Sequence, residues 1–250
     1  MEVRPFVADL HIHSVLSPCG DYEMAPGAVL DEAKKKHLDL IAITDHNSSE
    51  NVAAFVEAFQ NSGIVVFGGM EVTTAEEAHV LAVFDNFDAM NIWQAIVYDA
   101  LPEVKNDEDA FGVQIQVSAQ NEVIKIHDRF YAGTTSLSID AVVSCVNRLG
   151  GLCIPAHVDK PVFSVISQLG MIPPDLDVGA VEVYRKRRIA EACEQFPELR
   201  HYSLVRGSDA HYLNDVGIAT TTYHIASPTI QELRKALSSL EGRFFRITPE

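Results

Sequence analysis

The spacing of apolar positions switches repeatedly between a period of two and one near four, and those switches lay out the expected elements. Residues 6–13, FVADLHIH, alternate and predict a strand; 24–37 predict a helix with Pro26 in its first turn. The run 38–46, LDLIAITDH, is almost continuously apolar, as a parallel strand covered on both faces would be. Ser48 or Ser49 is placed to cap a helix over 48–60, and strands follow at 64–74 and 79–84. From 85 to about 131 the rhythm breaks: a helix at 90–101, the acidic stretch 102–112 and a polar segment 113–130. We expect this part to be an insertion or small lid beside the main body, not a separate domain.

Alternation then resumes. A helix over 136–151 has Ser136 or Ser138 as cap and a glycine stop, and a strand follows at 151–158 with a helix at 162–170. Strands at 180–185 and 203–211 flank a helix at 188–196. A strand at 217–225, a helix at 229–242 and a short strand at 244–248 complete the chain. About seven strand–helix units over 1–250 predict one α/β domain, barrel-like and parallel rather than an open sheet.

Composition narrows the possibilities. With 47% hydrophobic residues among 250, a sizeable core is available and a disordered reading is excluded. No apolar run approaches the roughly 18 residues of a membrane span, and MEVRPFVADL does not resemble a secretory signal. Cys19, Cys145, Cys153 and Cys193 lie far apart without CxxC spacing, which predicts reduced thiols and a cytoplasmic location. The balance of 19 basic against 35 acidic residues gives −16. Such a surface repels polyanions, so neither duplex nucleic acid nor membrane is expected as a partner. A small phosphorylated substrate stays open, because bound cations reverse a local field.

The candidate chemistry lies at strand ends. His11, His13, His46, His157 and His211 fall at or near the C-terminal ends of apolar runs, and His79 opens its own run. In a β/α barrel those ends converge on one mouth. Asp9, Asp45, Glu71 and Asp209 occupy similar positions, and the alternation of Asp9, His11 and His13 puts all three on one face of their strand. Imidazole and carboxylate together suit Zn, Mn or Fe as divalent ions. An isolated HxH pair is an ordinary polar face. Six histidines and several acids gathered at strand ends over 200 residues are not, and they predict a metal centre.

The stretches DLHIHS, AITDHN, GMEVTT with HVLAVF, IPAHVD and GSDAH, in that order, resemble the PHP (polymerase and histidinol phosphatase) family across residues 6 to about 225. The resemblance implies a distorted TIM-like (β/α)7 barrel, the PHP fold, with two or three divalent metal ions. It implies one site from His11, His13, Glu71 and Asp209, and a second that shares Glu71 and adds His79 and His157. A third would use His46 and His211 with one ligand from the loop after DLHIHS. That loop departs from the family: Pro18 and Cys19 stand where a histidine or aspartate is usual. Asp21 could reach back through the Gly20 turn, Cys19 could supply a thiolate, or SPCG is only a turn.

The expected activity is metal-dependent hydrolysis of a small phosphate ester, such as a nucleotide, nucleoside bisphosphate or sugar phosphate. Lys160, Arg185 and Arg129 are candidate phosphate clamps, and Asp45 and Asp9 candidate partners that orient the imidazoles. Glu182 could join them or face the helices. The alternatives are a short-oligonucleotide exonuclease, a histidinol phosphatase and a metal-binding regulatory domain without turnover.

Overall fold

The computed structural model describes residues 2–247; Thr248, the end of the last expected strand, lies outside the described residues. The strands are β1 (Arg4–Ile12), β2 (Leu40–Ile43), β3 (Val65–Thr73), β4 (His79–Phe84), β5 (Ile115–Val117), β6 (Val123–Ile126), β7 (Leu152–Pro155), β8 (Val181–Glu182), β9 (Leu204–Val205), β10 (Thr221–Ile225) and β11 (Phe244–Ile247). The helices are α1 (Pro26–Lys35), α2 (Val52–Ala58), α3 (Phe87–Ala100), α4 (Glu108–Phe111), α5 (Ile139–Arg148), α6 (Val165–Leu169), α7 (Ile189–Gln195) and α8 (Ile230–Leu237).

Seven strands form one curled sheet in the order β11-β10-β1-β2-β3-β4-β7, and β8 and β9 form a separate parallel pair. Backbone hydrogen bonds place that pair in the gap of the curl. Val158 N donates to Glu182 O at 2.8 Å on one side, and His13 N donates to Ala210 O at 3.0 Å on the other. The result is a distorted TIM-like barrel. The parallel arrangement expected throughout holds for β1–β2, β2–β3 and β8–β9, whereas β4 runs antiparallel to both β3 and β7, and β10 runs antiparallel to both β1 and β11. The reversal of β4 brings its start, with His79, to the mouth where the neighbouring strands end: His79 pairs with Thr73, the last residue of β3.

The continuous apolar run of β2 is explained by two cores. Leu40 and Ala42 pack with Phe6, Ala8 and Leu10 and with Leu233 and Leu237 of α8. Ile41 and Ile43 pack on the opposite face with Val29 of α1 and Phe55 of α2. In β1 the register shifts between Asp9 and Ile12. Before the shift Phe6, Ala8 and Leu10 join the first core; after it Ile12 joins the second. The alternation therefore slips, and Asp9 does not share the face of His11 and His13. An irregularity of this kind re-aims side chains beside a site.

Within the stretch expected as an insertion, α3 packs against β3 and β4 and buries Met90, Trp93 and Val97. The later part is a β5–β6 hairpin tied to the body by Asn51, whose amide donates to Ile115 O and whose oxygen accepts from Val117 N, both at 2.9 Å. Asn51 also stands at the start of α2 without capping it, and Ser49 instead donates to Gln94, so neither expected serine caps this helix. Ser138 caps α5, accepting from Ala141 N.

Candidate metal centre

Glu71, on β3, lies at the centre of the mouth and is fully enclosed. Its Oε1 is 2.9 Å from His79 Nδ1, 3.0 Å from His157 Nε2 and 3.3 Å from His11 Nε2. Its Oε2 is 3.2 Å from His46 Nδ1 and 3.4 Å from His13 Nε2. Asp209 Oδ1 approaches His11 Nε2 and His13 Nε2 at 3.4 and 3.5 Å. Three overlapping groups have donor atoms within 4.8 Å of one another: His11, His13, Glu71 and Asp209; His46, Glu71 and His79; and His13, His46 and His211. His157 and Asp209 adopt φ of 29° and 48°, strained for non-glycine residues, as backbones at functional sites often are.

The donor set fits divalent cations. His11 Nε2 and His13 Nε2 face each other at 3.3 Å, and the buried His46 Nδ1 and His157 Nδ1 have no hydrogen-bond partner. Imidazoles and carboxylates converging in this way are suitable ligands for Zn, Mn or Fe. The acids around the ligands orient them. Glu182 accepts from His11 Nδ1 at 3.0 Å and also from the backbone N–H of His157 at 3.1 Å. Ser17 Oγ donates to Asp45 Oδ1 at 2.7 Å, which leaves it a lone pair for His13 Nδ1–H at 2.9 Å. The backbone carbonyl of Asp209 receives His211 Nδ1–H at 3.0 Å. In each case the far nitrogen, Nε2, keeps its lone pair for the centre.

Charge and burial oppose each other here. Burial alone would raise Glu71, yet His79 and His11 hold its carboxyl well below the usual range. Burial would lower His11, but Glu182, Glu71 and Asp209 hold it well above. His46 is driven well below its ordinary value by burial and then by His13, and His211 falls to about 4 for the same two reasons.

The remaining expected residues separate clearly. Asp45 acts through Ser17 and also binds Ser14 N and Oγ. Asp9 orients no imidazole: its carboxylate accepts from Ser208 N and Gly217 N, and burial raises it to about 6. Lys160 reaches the mouth, its Nζ 3.1 Å from Asp209 Oδ2. Arg185 pairs with Asp215 at 2.8 Å. Arg129 is not brought to the cluster. Its guanidinium lies 4.0 Å over the Tyr98 ring and donates to the Leu101 and Pro102 carbonyls. Asp21 is also absent from the three groups, because its carboxylate accepts from Glu23 N in a turn. Cys19 is exposed and likewise absent from the three groups. Ser17 was not anticipated, since nothing local separates it from an ordinary turn residue.

Comparison with known proteins agrees with this geometry. Residues 9–165 match the PHP domain model and 194–241 the PHP-associated model, and the chain belongs to the PHP family. The structure is similar to a lesion-specific endonuclease from Pyrococcus furiosus, with a TM-score of 0.71 and 19% identity over 97% of this chain and 58% of that one. It is also similar to an endonuclease Q complex with a 27-mer duplex bearing an abasic lesion at the active site, with a TM-score of 0.67 and 17% identity over 96% and 58%. A two-domain protein from Bacteroides vulgatus, containing a predicted PHP-like metal-dependent phosphoesterase, matches at 0.53 and 16% over 98% and 65%. An uncharacterized protein of Methanocaldococcus jannaschii is 34% identical over 89 residues, 32% of this chain and 52% of that protein. The chain thus spans little more than half the length of the endonucleases and of this curated relative.

One expectation is overturned. Duplex nucleic acid was set aside on net charge, yet a structure of this fold holds a duplex at its active site. A sum of −16 over the whole chain does not describe the field at one mouth, where cations and local side chains set the sign. Among the described residues no helix is long and apolar enough to cross a membrane.

Proposed function

We propose that this PHP-family hydrolase cleaves a small phosphate ester, such as a nucleotide, nucleoside bisphosphate or similar phosphomonoester, using two or three divalent ions of Zn, Mn or Fe. The observation that carries the reading is the single Glu71 carboxylate within 3.4 Å of five imidazoles from four separate strands or strand ends. His11, His13, His46, His79, His157, His211, Glu71 and Asp209 would hold the ions, which supply charge neutralisation for the phosphoryl group and acidify water. Lys160, 24% exposed and anchored on Asp209, would grip a phosphoryl oxygen at the mouth. Arg185 is held by Asp215. Glu182 keeps His11, and Ser17 with Asp45 keeps His13, in the tautomer that presents Nε2. Four free cysteines support a reducing, cytoplasmic setting.

A second reading rests on the extent of the structural match: cleavage of a phosphodiester in a damaged duplex, as the name of the similar endonuclease states for that protein. The test is one experiment with two arms, phosphate release from a panel of phosphomonoesters and nicking of an abasic duplex, each with Mn or Zn. Wild type should turn over in one arm at least, and Glu71→Gln should be slower by about 100-fold or more. Equal rates for the two proteins, or none in either arm, would contradict the proposal.

A further inference from the structure

Phe163 is an oddity beside the cluster. It is 43% exposed and has φ of 55°, a conformation strained for a bulky side chain. Its ring lies nearly parallel to that of His79, with 15° between planes and centroids 5.0 Å apart, and its carbonyl accepts His79 N at 3.0 Å. Glycine would relieve the strain at such a position, and a polar residue would relieve the exposure. An aromatic there, with one face on a candidate ligand and much of its surface open, has the form of a stacking platform. Lys160 lies three residues earlier, so a cation and an exposed π-face share one loop at the mouth. Interleaved cations and aromatics are how nucleic-acid components are gripped without base-edge readout.

We propose that Phe163 stacks the base of a nucleotide substrate whose phosphate lies at the Glu71 cluster, which makes nucleobase-bearing esters the preferred substrate class. This rests on the phosphoesterase reading for its catalytic consequence but not for binding. A base continues the His79–Phe163 stack in the same parallel geometry, one side chain away from Glu71, to which His79 Nδ1 approaches at 2.9 Å.

The test combines binding and turnover. The chain's one native tryptophan, Trp93, is fully buried, so Phe163→Trp supplies a separate exposed reporter. In the metal-loaded protein its fluorescence should be quenched by adenosine monophosphate and not by ribose phosphate. In turnover, the ratio of kcat/KM for adenosine monophosphate over glycerol phosphate should fall about tenfold in Phe163→Ala and recover in Phe163→Tyr. Absence of quenching, or equal quenching by both ligands, would overturn the proposal. So would an unchanged ratio with both rates lowered and metal content reduced, which would make Phe163 a positioning residue for His79 alone. If no ester is hydrolysed by any form, the phosphoesterase reading fails while the fluorescence titration still decides the base platform.

Discussion

The hydroxyl of Ser17 has one proton, and it goes to Asp45, so the hydroxyl can only accept from His13 Nδ1–H. This short chain of bonds settles which nitrogen of His13 faces Glu71. Removing the hydroxyl in Ser17→Ala frees the ring to rotate, and metal affinity should fall roughly 10- to 100-fold, with partial recovery in Ser17→Thr. A competition titration against a chromogenic chelator measures this, and equal affinities would contradict it. His11 and His13 were legible from their spacing because remote histidines supplied their partners. Ser17 was not, because its role depends on Asp45 from another strand end. Arg129 and Asp21 were legible as charges but not as partners, since a cation–π contact and a backbone turn claim them instead.

Two of the departures from a regular parallel barrel lie in single elements beside the mouth. The antiparallel β4 turns His79 from an apparent exception into a participant, and the register shift in β1 separates Asp9 from the histidines. Neither direction nor register is written in an apolar run of six to nine residues, which is why the elements were legible and these details were not. At the other edge of the sheet, α8 is braced by Glu232. Its carboxylate accepts from Arg243 Nε and from Ala226 N, both at 2.9 Å, linking the helix to the segments around β10 and β11. The Arg243 hydrogen bond, followed by Ala226 N–H, lowers Glu232 to about 2 from an ordinary 4.5. A depressed carboxylate stabilises the fold above its unfolded pKa and loses that contribution as pH falls towards its folded one. Glu232→Gln should therefore melt a few degrees lower near neutrality, and the gap should narrow as pH falls from about 4.5 towards 2. A gap independent of pH in parallel thermal melts would contradict this.

Across the whole molecule, the cluster joins β1, β3 and β4 to the segments that follow β2, β7 and β9, so whatever binds it links distant parts of the chain. Ions that bind only the folded state stabilise it by mass action, about 2.7 kcal/mol at a hundredfold excess over Kd. Chelation should therefore lower the melting temperature, and Mn or Zn should restore it; a melt indifferent to metal would contradict the assignment. Net charge, by contrast, was a poor guide to partners, because a property of the entire surface says little about one concave site. Glu71 would hold the ions on which the proposed hydrolysis would depend. The most direct test is elemental analysis of wild type and Glu71→Gln, purified identically and assayed together for phosphate release. Wild type should hold two or three ions per chain, and the variant should lose bound metal and activity together. Equal metal content in two equally active proteins would contradict it.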